Sequence, residues 1–387
     1  MKCALCKIRM MSPLALLGAF LSFTACANNQ SSFSLLPTGQ TFKQSADLVN
    51  SKIDILWVID NSGSMSPSQT NILNNFSGFM KNFGSKNLDY QMAVTTTEGF
   101  NSDAKFGNDP TFSKYKDGAT FASGKTSYNK HTGINLLYPG ASSDITATFM
   151  INAYQGDQGS GDERAFSSMM SALKNITNPI LFRPNSFLAV IVLSDEDDFS
   201  SSSRAEYSWI AKQTYETTAQ YNARYAPDHS YTYAGLDSIG SYLSSLDSFT
   251  SSTPTNRHYS VSTITAKDNA CVQSMLGAGA SSSIIGQRYM DLAAQTQGVI
   301  GSICDPNFAG TLEAIQEKIL ELSTEFYLQR QPVISSISVV VNSVAIAQDP
   351  ANGWTYDSIK NGILFHGNAI PPSGAEIAVH FDPTTIK

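Results

Sequence analysis

The fold is decided by the stretch Ile53-Asp54-Ile55-Leu56-Trp57-Val58-Ile59, which runs directly into Asp60-Asn61-Ser62-Gly63-Ser64. A near-continuous apolar run rich in β-branched and aromatic residues predicts a buried strand of a parallel sheet. Open α/β sheets bind their ligands at the carboxyl ends of the strands. Asp60, Ser62 and Ser64 would place three hard oxygens at such an end, and hard oxygens suit a divalent cation such as Mg²⁺. The pentapeptide alone is also ordinary turn chemistry, so its position after the strand carries the prediction.

A second apolar run, 187–193, predicts the central strand of the same sheet, and it ends in the acidic run 195–198. Further strands are predicted at 90–95, 259–265 and 299–304, and helices at 67–83, 162–173, 239–249, 287–295 and 312–327. Strands that alternate with helices predict an α/β fold with a doubly wound, mostly parallel sheet and helices on both faces. Beyond Pro332, short strands punctuated by turn residues predict a small C-terminal antiparallel β module.

The pattern Asp60-x-Ser62-x-Ser64 resembles the metal-ion-dependent adhesion site (MIDAS) of von Willebrand factor type A (VWA) domains, and the resemblance covers roughly 52–326. In that family three loops supply the metal ligands. Asp195 matches the aspartate that usually reaches the metal through water. The middle ligand is usually a threonine, from which this chain departs. The segment 159–163 offers either Ser160 or Asp162, and Asp162 is alternatively only the N-cap of the next helix.

The resemblance implies a binding role in which Mg²⁺, with Mn²⁺ or Ca²⁺ as alternatives, accepts an acidic oxygen from a protein or cell-surface ligand. With two coordinating carboxylates a divalent ion is just balanced, whereas a third, from Asp162, makes the site net negative. We expect no catalysis, although a metal-dependent hydrolase that uses the same acidic cluster, or a structural envelope protein with a stabilising metal, would fit these residues. Within 195–198, only Asp195 is expected to face the crevice, and the other acids to be solvated loop charges.

The N-terminus has the features of an export signal. A positive segment precedes an apolar segment that is too short to span a membrane, and the signal peptide is predicted at 1–25. Phe23-Thr24-Ala25-Cys26 resembles a bacterial lipobox, in which Cys26 carries lipid. The phenylalanine departs from the usual leucine, so a conventionally cleaved or uncleaved signal remains an alternative. Ala27 in place of aspartate implies that the lipid anchors the chain to the outer membrane, either in the periplasm or exposed at the surface.

The composition and the cysteines restrict the class of protein and its compartment further. A formal charge of −7 excludes the basic footprint of a nucleic-acid binder. Cys271 and Cys304 remain after the N-terminal cysteines are assigned, and in an oxidising compartment they most simply form one disulfide, the alternative being two buried thiols. The predicted organisation is a tether at 26–50, the VWA-like domain at 51–328 and the β module at 329–387. Insertions at about 96–153 and 200–255 are expected to flank the site and to set specificity.

Overall fold

The computed structural model describes residues 40–44, 52–84, 88–109, 112–120, 129–175, 180–202, 236–372 and 374–384. The predicted signal peptide, Cys26, most of the tether and most of the insertion at 200–255 lie outside these residues. Within the described ranges, no helix combines the length and the apolar character needed to cross a membrane.

The elements follow one another in the alternating order that the sequence predicts. In chain order the strands are β1 (Gln40–Gln44), β2 (Lys52–Ile59), β3 (Asp89–Thr96), β4 (Gly118–Ala119), β5 (Lys130–His131), β6 (Phe187–Ser194), β7 (Tyr259–Thr265), β8 (Ile300–Ser302), β9 (Phe326–Tyr327), β10 (Ser338–Val341), β11 (Val344–Ile346), β12 (Trp354–Asp357), β13 (Gly362–Phe365) and β14 (Ile377–Phe381). The α-helices are α1 (Ser66–Gly84), α2 (Ile145–Ala153), α3 (Ala165–Leu173), α4 (Ile239–Phe249), α5 (Asn269–Gly277), α6 (Gln287–Gln295) and α7 (Ala309–Ser323).

A five-stranded parallel sheet with the order β3-β2-β6-β7-β8 forms the main domain. Side chains of β2 alternate between two apolar layers, as a strand period of two requires. Ile55, Trp57 and Ile59 join the layer that contains residues of α1, α2, α5 and α7. Leu56 and Val58 join the layer that contains residues of α3, α4 and α6. The predicted α/β fold, with helices on both faces of a parallel sheet, is therefore confirmed.

Two antiparallel sheets follow the main domain and share one apolar core. Their strand orders are β1-β14-β10-β11 and β12-β13-β9. The strand β1 comes from the stretch predicted to be a tether, and it pairs along its whole length with β14, from Gln40 opposite Phe381 to Gln44 opposite Ile377. A polar segment without alternation can form such a strand because the edge of an existing sheet supplies the backbone partners.

Several boundaries differ from the sequence predictions, each for a local reason. The helix α2 was not predicted, because its polar and apolar residues do not separate onto two faces. It begins after Asp144, whose side chain accepts a hydrogen bond from the Ala147 amide at 2.9 Å. The last helix of the domain ends at Ser323 and not at 327, because Phe326–Tyr327 pairs with β13 as a strand. The described part of the insertion at 96–153 contributes to the core, since Phe149 is fully buried there.

A disulfide joins Cys271, in the first turn of α5, to Cys304, which follows β8. The two Cα atoms are 5.6 Å apart, within the range that a disulfide spans without backbone movement. The bond connects two segments at the same edge of the sheet, beyond the carboxyl ends of β7 and β8.

Candidate metal-binding site

A row of oxygen-bearing side chains closes the carboxyl ends of four neighbouring strands. Ile59 pairs with Thr96 on one side and with Leu193 on the other. The next residues along these strands are Thr97, Asp60 and Ser194, and Ser194 in turn pairs with Thr265. The parallel register therefore brings Asp60 beside Ser194, whose hydroxyl donates to Asp60 Oδ2 at 2.7 Å.

The first loop folds back over this row and forms a continuous chain of hydrogen bonds. Asp60 Oδ1 accepts from the Ser62 amide at 2.8 Å. The Ser62 and Ser64 hydroxyl oxygens are 2.9 Å apart, and the Ser64 hydroxyl donates to Asp195 Oδ1 at 3.0 Å. All four side chains are buried, with at most 3% of the residue surface exposed. The structure thus brings together the first-loop residues and the aspartate after the central strand.

The two alternatives for the middle loop lie elsewhere. Both oxygens of Asp162 accept from the guanidinium group of Arg164, at 2.9–3.1 Å. Ser160 is exposed, and its hydroxyl accepts from the Asp162 amide at 3.0 Å. The next residue, Glu163, is fully buried, lies 3.4 Å from the Ser194 hydroxyl and is in hydrogen-bond contact with Asp60.

Glu163 is therefore the middle-loop residue that reaches the cluster, and the sequence reasoning did not select it. The sequence contained one indication of this, because Arg164 lies two residues after Asp162 and its guanidinium group can pair with the Asp162 carboxylate. No pattern in the sequence alone shows that the two side chains turn toward each other. The metal role of Ser160 and Asp162 stays a prediction, to be tested against Glu163.

Glu98 fastens the first loop to the middle loop. Its two oxygens accept from the Asn61 side-chain amide at 2.9 Å and from the Ser160 backbone amide at 2.7 Å. The Gly159 amide also donates to the Asn61 carbonyl at 2.7 Å. A Cβ atom at position 159 would lie 2.5 Å from the Asn61 side chain, which explains why this close approach uses glycine.

The acidic run after β6 is buried, so the expectation that its last three acids are solvated was wrong. Asp198 accepts from the Arg288 guanidinium at 3.0 Å and from the Phe166 amide in the first turn of α3. Asp197 accepts from the Arg288 amide, and Glu196 accepts from the Ser282 hydroxyl. These partners lie far away in the sequence, and they turn the run into a buried junction between segments.

Burial and mutual repulsion raise the pKa values of three carboxyls in the cluster. Burial is the largest cause for each of them. Asp60 adds the next largest effect on the pKa values of Glu163 and Asp195, while Asp195 does so for Glu196. Removing water disfavours the charged form, and neighbouring carboxylates disfavour it further. Without a positive charge nearby, these groups hold protons to higher pH than isolated carboxyls do.

The buried oxygens also fit a cation. Asp195 Oδ2, Glu163 Oε1 and Glu196 Oε2 find no hydrogen-bond partner among the described residues. Nor, in that part of the chain, do three His, Cys, Asp or Glu side chains group so that they would hold a metal by themselves. A cation here would therefore depend on the hydroxyls of Ser62 and Ser64 as well as on carboxylates. This mixed set of hard oxygens is the kind that Mg²⁺ and Ca²⁺ take in proteins.

No protein-family model and no curated protein matches this chain. Solved structures with some similarity include proximal thread matrix protein 1 from the mussel byssus (7% identity, TM-score 0.34), the pilus adhesin SpaC from Lactobacillus rhamnosus GG (11%, 0.35) and the ArnB paralog VWA2 from Sulfolobus acidocaldarius (11%, 0.29). These matches cover 73%, 85% and 90% of this chain, which spans 50%, 38% and 64% of the respective proteins. At such TM-scores the similarities carry no argument about function, which has to come from the site.

Proposed function

We propose that this chain is an adhesion-type VWA domain that binds a protein or surface ligand through a divalent cation. The ion, Mg²⁺ or alternatively Mn²⁺ or Ca²⁺, would be held by Asp60, Ser62 and Ser64, with Asp195 beside it. In this proposal the middle-loop residue at the ion is Glu163, in place of the two candidates from the sequence, Ser160 and Asp162. The observation that supports this most is the buried hydrogen-bonded chain from Asp60 to Asp195, in which Asp195 Oδ2 has no hydrogen-bond partner among the described residues.

The residues around the cluster have separate tasks in this proposal. Asp60 and Asp195 supply negative charge, and the two serine hydroxyls bridge them. A bound cation would neutralise these carboxylates and offer positive charge to a ligand oxygen, of which an acidic one is the strongest donor. Glu163, with its raised pKa, can keep a proton and hydrogen-bond to Asp60 when the positive charge is absent.

Access to the cluster is bordered by small residues. Gly63, which lies between the two buried serines in the sequence, is exposed, and so are Ser160, Gly161 and Ser281 on other loops. A Cβ atom at Gly63 would be 3.8 Å from the Ser281 hydroxyl, so the first loop and the 281 loop adjoin each other. Small side chains at this border would suit a macromolecular ligand that reaches the ion with one protruding side chain.

The metal site is tested by calorimetric titration of the chelator-treated protein with Mg²⁺ and Mn²⁺. Asp60→Ala and Ser64→Ala should each lose most of the affinity. The matched controls are Asp382→Ala, an exposed acid in the β module, and Ser244→Ala, an exposed serine on α4. Equal affinity in the Ser64→Ala variant and its control would remove the proposed site.

The binding role needs a separate test, because the full burial of Asp60 and Asp195 also fits a cation that only stabilises the fold. Envelope proteins should be crosslinked to the wild-type chain in Mg²⁺ and in EDTA, and the captured partner should then be titrated in purified form. An adhesion-type domain loses partner binding in EDTA at a temperature where it remains folded. Binding that survives chelation supports the structural alternative.

The N-terminal anchor is part of the proposal and has its own test. We propose that Cys26 carries lipid and holds the domain at the outer membrane, facing the periplasm or the exterior. Metabolic labelling with a radiolabelled or azide-bearing fatty acid should mark the wild-type chain and not the Cys26→Ser variant. Label retained in the variant would contradict the assignment of Cys26.

A further inference from the structure

Arg288, the second residue of α6, is a fully buried cation that is bonded to two other segments of the chain. Its guanidinium Nε and Nη2 atoms donate to Asp198 Oδ2 at 3.1 and 3.0 Å. Nη2 also donates to the Asp237 carbonyl at 2.7 Å, two residues before α4 begins. The backbone amide of Arg288 donates to Asp197 Oδ1 at 2.9 Å. Arg288 therefore fixes two acids of the run after β6 and the segment that leads into α4.

The segment 198–200, which begins at the acid that Arg288 pairs with, is fastened to the chain around Glu163. The Phe199 amide donates to the Glu163 carbonyl at 2.8 Å. Two amides that follow Glu163 donate to side-chain oxygens of this segment: Phe166 to Asp198 at 3.0 Å and Ser167 to Ser200 at 2.8 Å. Three hydrogen bonds therefore connect the middle loop and the start of α3 to the segment 198–200.

The segment 198–200 depends on Arg288 because its first residue is a buried acid. Asp198 is fully buried, and the Arg288 guanidinium is its ion-pair partner at 3.0 Å. A carboxylate at this depth is strongly unfavourable without a cation, so the loss of Arg288 would drive Asp198 toward water. A displaced Asp198 would release the Phe166 amide, and the backbone at Glu163 would lose part of its support.

We infer that Arg288 is a positioning residue for the candidate site, which it serves by holding Glu163 at Asp60 through the segment 198–200. This inference rests on the proposed cation site, and Arg288 acts on the ion through Glu163. The charge of Arg288 has the opposite effect, since two positive charges repel each other at every separation. Loss of the charge alone would strengthen cation binding, whereas loss of the positioning would weaken it. The sign of the change therefore separates the two roles.

The test uses variants of the full chain that separate position from charge. Arg288→Lys keeps the positive charge and loses the planar fork that matches the Asp198 carboxylate. Arg288→Met combined with Asp198→Leu removes the ion pair without leaving a buried charge alone. The matched control is Arg183→Met, because Arg183 also pairs with a fully buried acid, Asp54, but does so near the amino end of β2.

Two measurements follow on the chelator-treated proteins. Calorimetric Mn²⁺ titration should show an affinity about tenfold lower, or less, in Arg288→Lys and in the double variant, as for other residues that orient ligands. The affinity of Arg183→Met should stay at the wild-type level. Amide hydrogen exchange in EDTA should be faster at Phe166 and Phe199 in both Arg288 variants than in the wild-type chain.

The outcomes distinguish this inference from the proposed cation site. Wild-type or higher affinity in the two Arg288 variants, or an equal loss in Arg183→Met, would overturn the inference. Unchanged exchange at the Phe166 and Phe199 amides would also overturn it, because this measurement needs no cation. A wild-type chain that binds no Mn²⁺ would remove the proposed site, and the exchange rates would then decide whether Arg288 holds the backbone at Glu163.

Discussion

Replacing Glu163 with glutamine should stabilise the metal-free protein at pH 8 and weaken its affinity for a divalent cation. The substitution keeps the size of a fully buried side chain and removes its charge. In the absence of a cation, the ionised form of Glu163 faces Asp60 and Glu196, both of which raise its pKa. In the presence of a cation, the same charge becomes favourable.

The magnitude follows from the Ser194 hydroxyl, which lies 2.7 Å from Asp60 Oδ2 and 3.4 Å from Glu163 Oε2. The two carboxylate oxygens are therefore no more than about 6 Å apart, and at an effective dielectric constant near 20 their repulsion is about 3 kcal/mol. At this greatest separation the repulsion is about 3 kcal/mol, so we expect a gain of about 3 kcal/mol where Glu163 is ionised, and a smaller gain where a proton on Glu163 already relieves the repulsion. In a domain of this size each kcal/mol raises the melting temperature by about 2 °C.

The sign of the pH dependence can be stated in advance. The folded-state pKa of Glu163 is raised above its unfolded value, mainly by burial. Stability from the protonated carboxyl is fully present below the unfolded pKa and is lost as the pH rises through the folded pKa. Glutamine does not titrate, so the advantage of Glu163→Gln should be small at pH 5 and should increase toward pH 8.

The assay is urea denaturation in EDTA at several pH values from 5 to 8, followed by calorimetric Mn²⁺ titration at pH 7.5. The matched control is Glu325→Gln, because Glu325 is also buried but pairs with the Lys360 ammonium at 2.9 Å. That control should lose stability, since it leaves a lysine without its charge partner. A Glu163→Gln variant that is no more stable than wild type at pH 8 in EDTA would refute the repulsion argument.

Three further predictions follow from other contacts. Glu98→Ala should lower cation affinity by about tenfold, as expected for a residue that orients ligands, and calorimetry showing unchanged affinity would contradict its positioning role. Asp162→Asn should cost about 3–5 kcal/mol of stability, because Arg164 is only 1% exposed and loses its charge partner. Its cation affinity should stay at the wild-type level, whereas a large drop would restore Asp162 as a ligand. Reduction of the Cys271–Cys304 bond should lower the urea-denaturation free energy by about 3–4 kcal/mol, and the Cys271→Ser variant should not respond to the reductant.

Much of the fold could be predicted because its signals are local. Two apolar runs with β-branched residues predicted β2 and β6, and the helical periodicity at 239–249 and 287–295 predicted α4 and α6 with the boundaries that the structure shows. The sequence of α2 carries no such periodicity, because the helix is covered on several sides. Only its aspartate cap marks where it begins. The strand β1 depends on a partner more than 330 residues away in the sequence, and a pattern within the strand does not reveal such a partner.

The candidate site divides in the same way. Asp60, Ser62 and Ser64 form a pattern within five residues, and Asp195 follows an unmistakable strand, so the sequence was sufficient to place them at one edge. The middle-loop ligand was ambiguous because the sequence does not show which acidic side chain pairs with Arg164 and which one turns toward the cluster. Asp162 satisfies a buried arginine, and Glu163 is left to enter the cluster.

The pairing of buried charges explains why the cluster points to a cation and not only to a set of structural acids. Close to the site the chain neutralises Asp162 with Arg164 and Asp198 with Arg288, both within hydrogen-bond distance. Three other carboxyls, those of Glu163, Asp195 and Glu196, accept hydrogen bonds from serine hydroxyls. Each of the three also has one oxygen with no hydrogen-bond partner among the described residues. Burying acids without a compensating charge costs several kcal/mol for each ion. Among the described residues, arginines pair with the neighbouring acids and none pairs with these three, which supports the proposal that a positive charge arrives from solution.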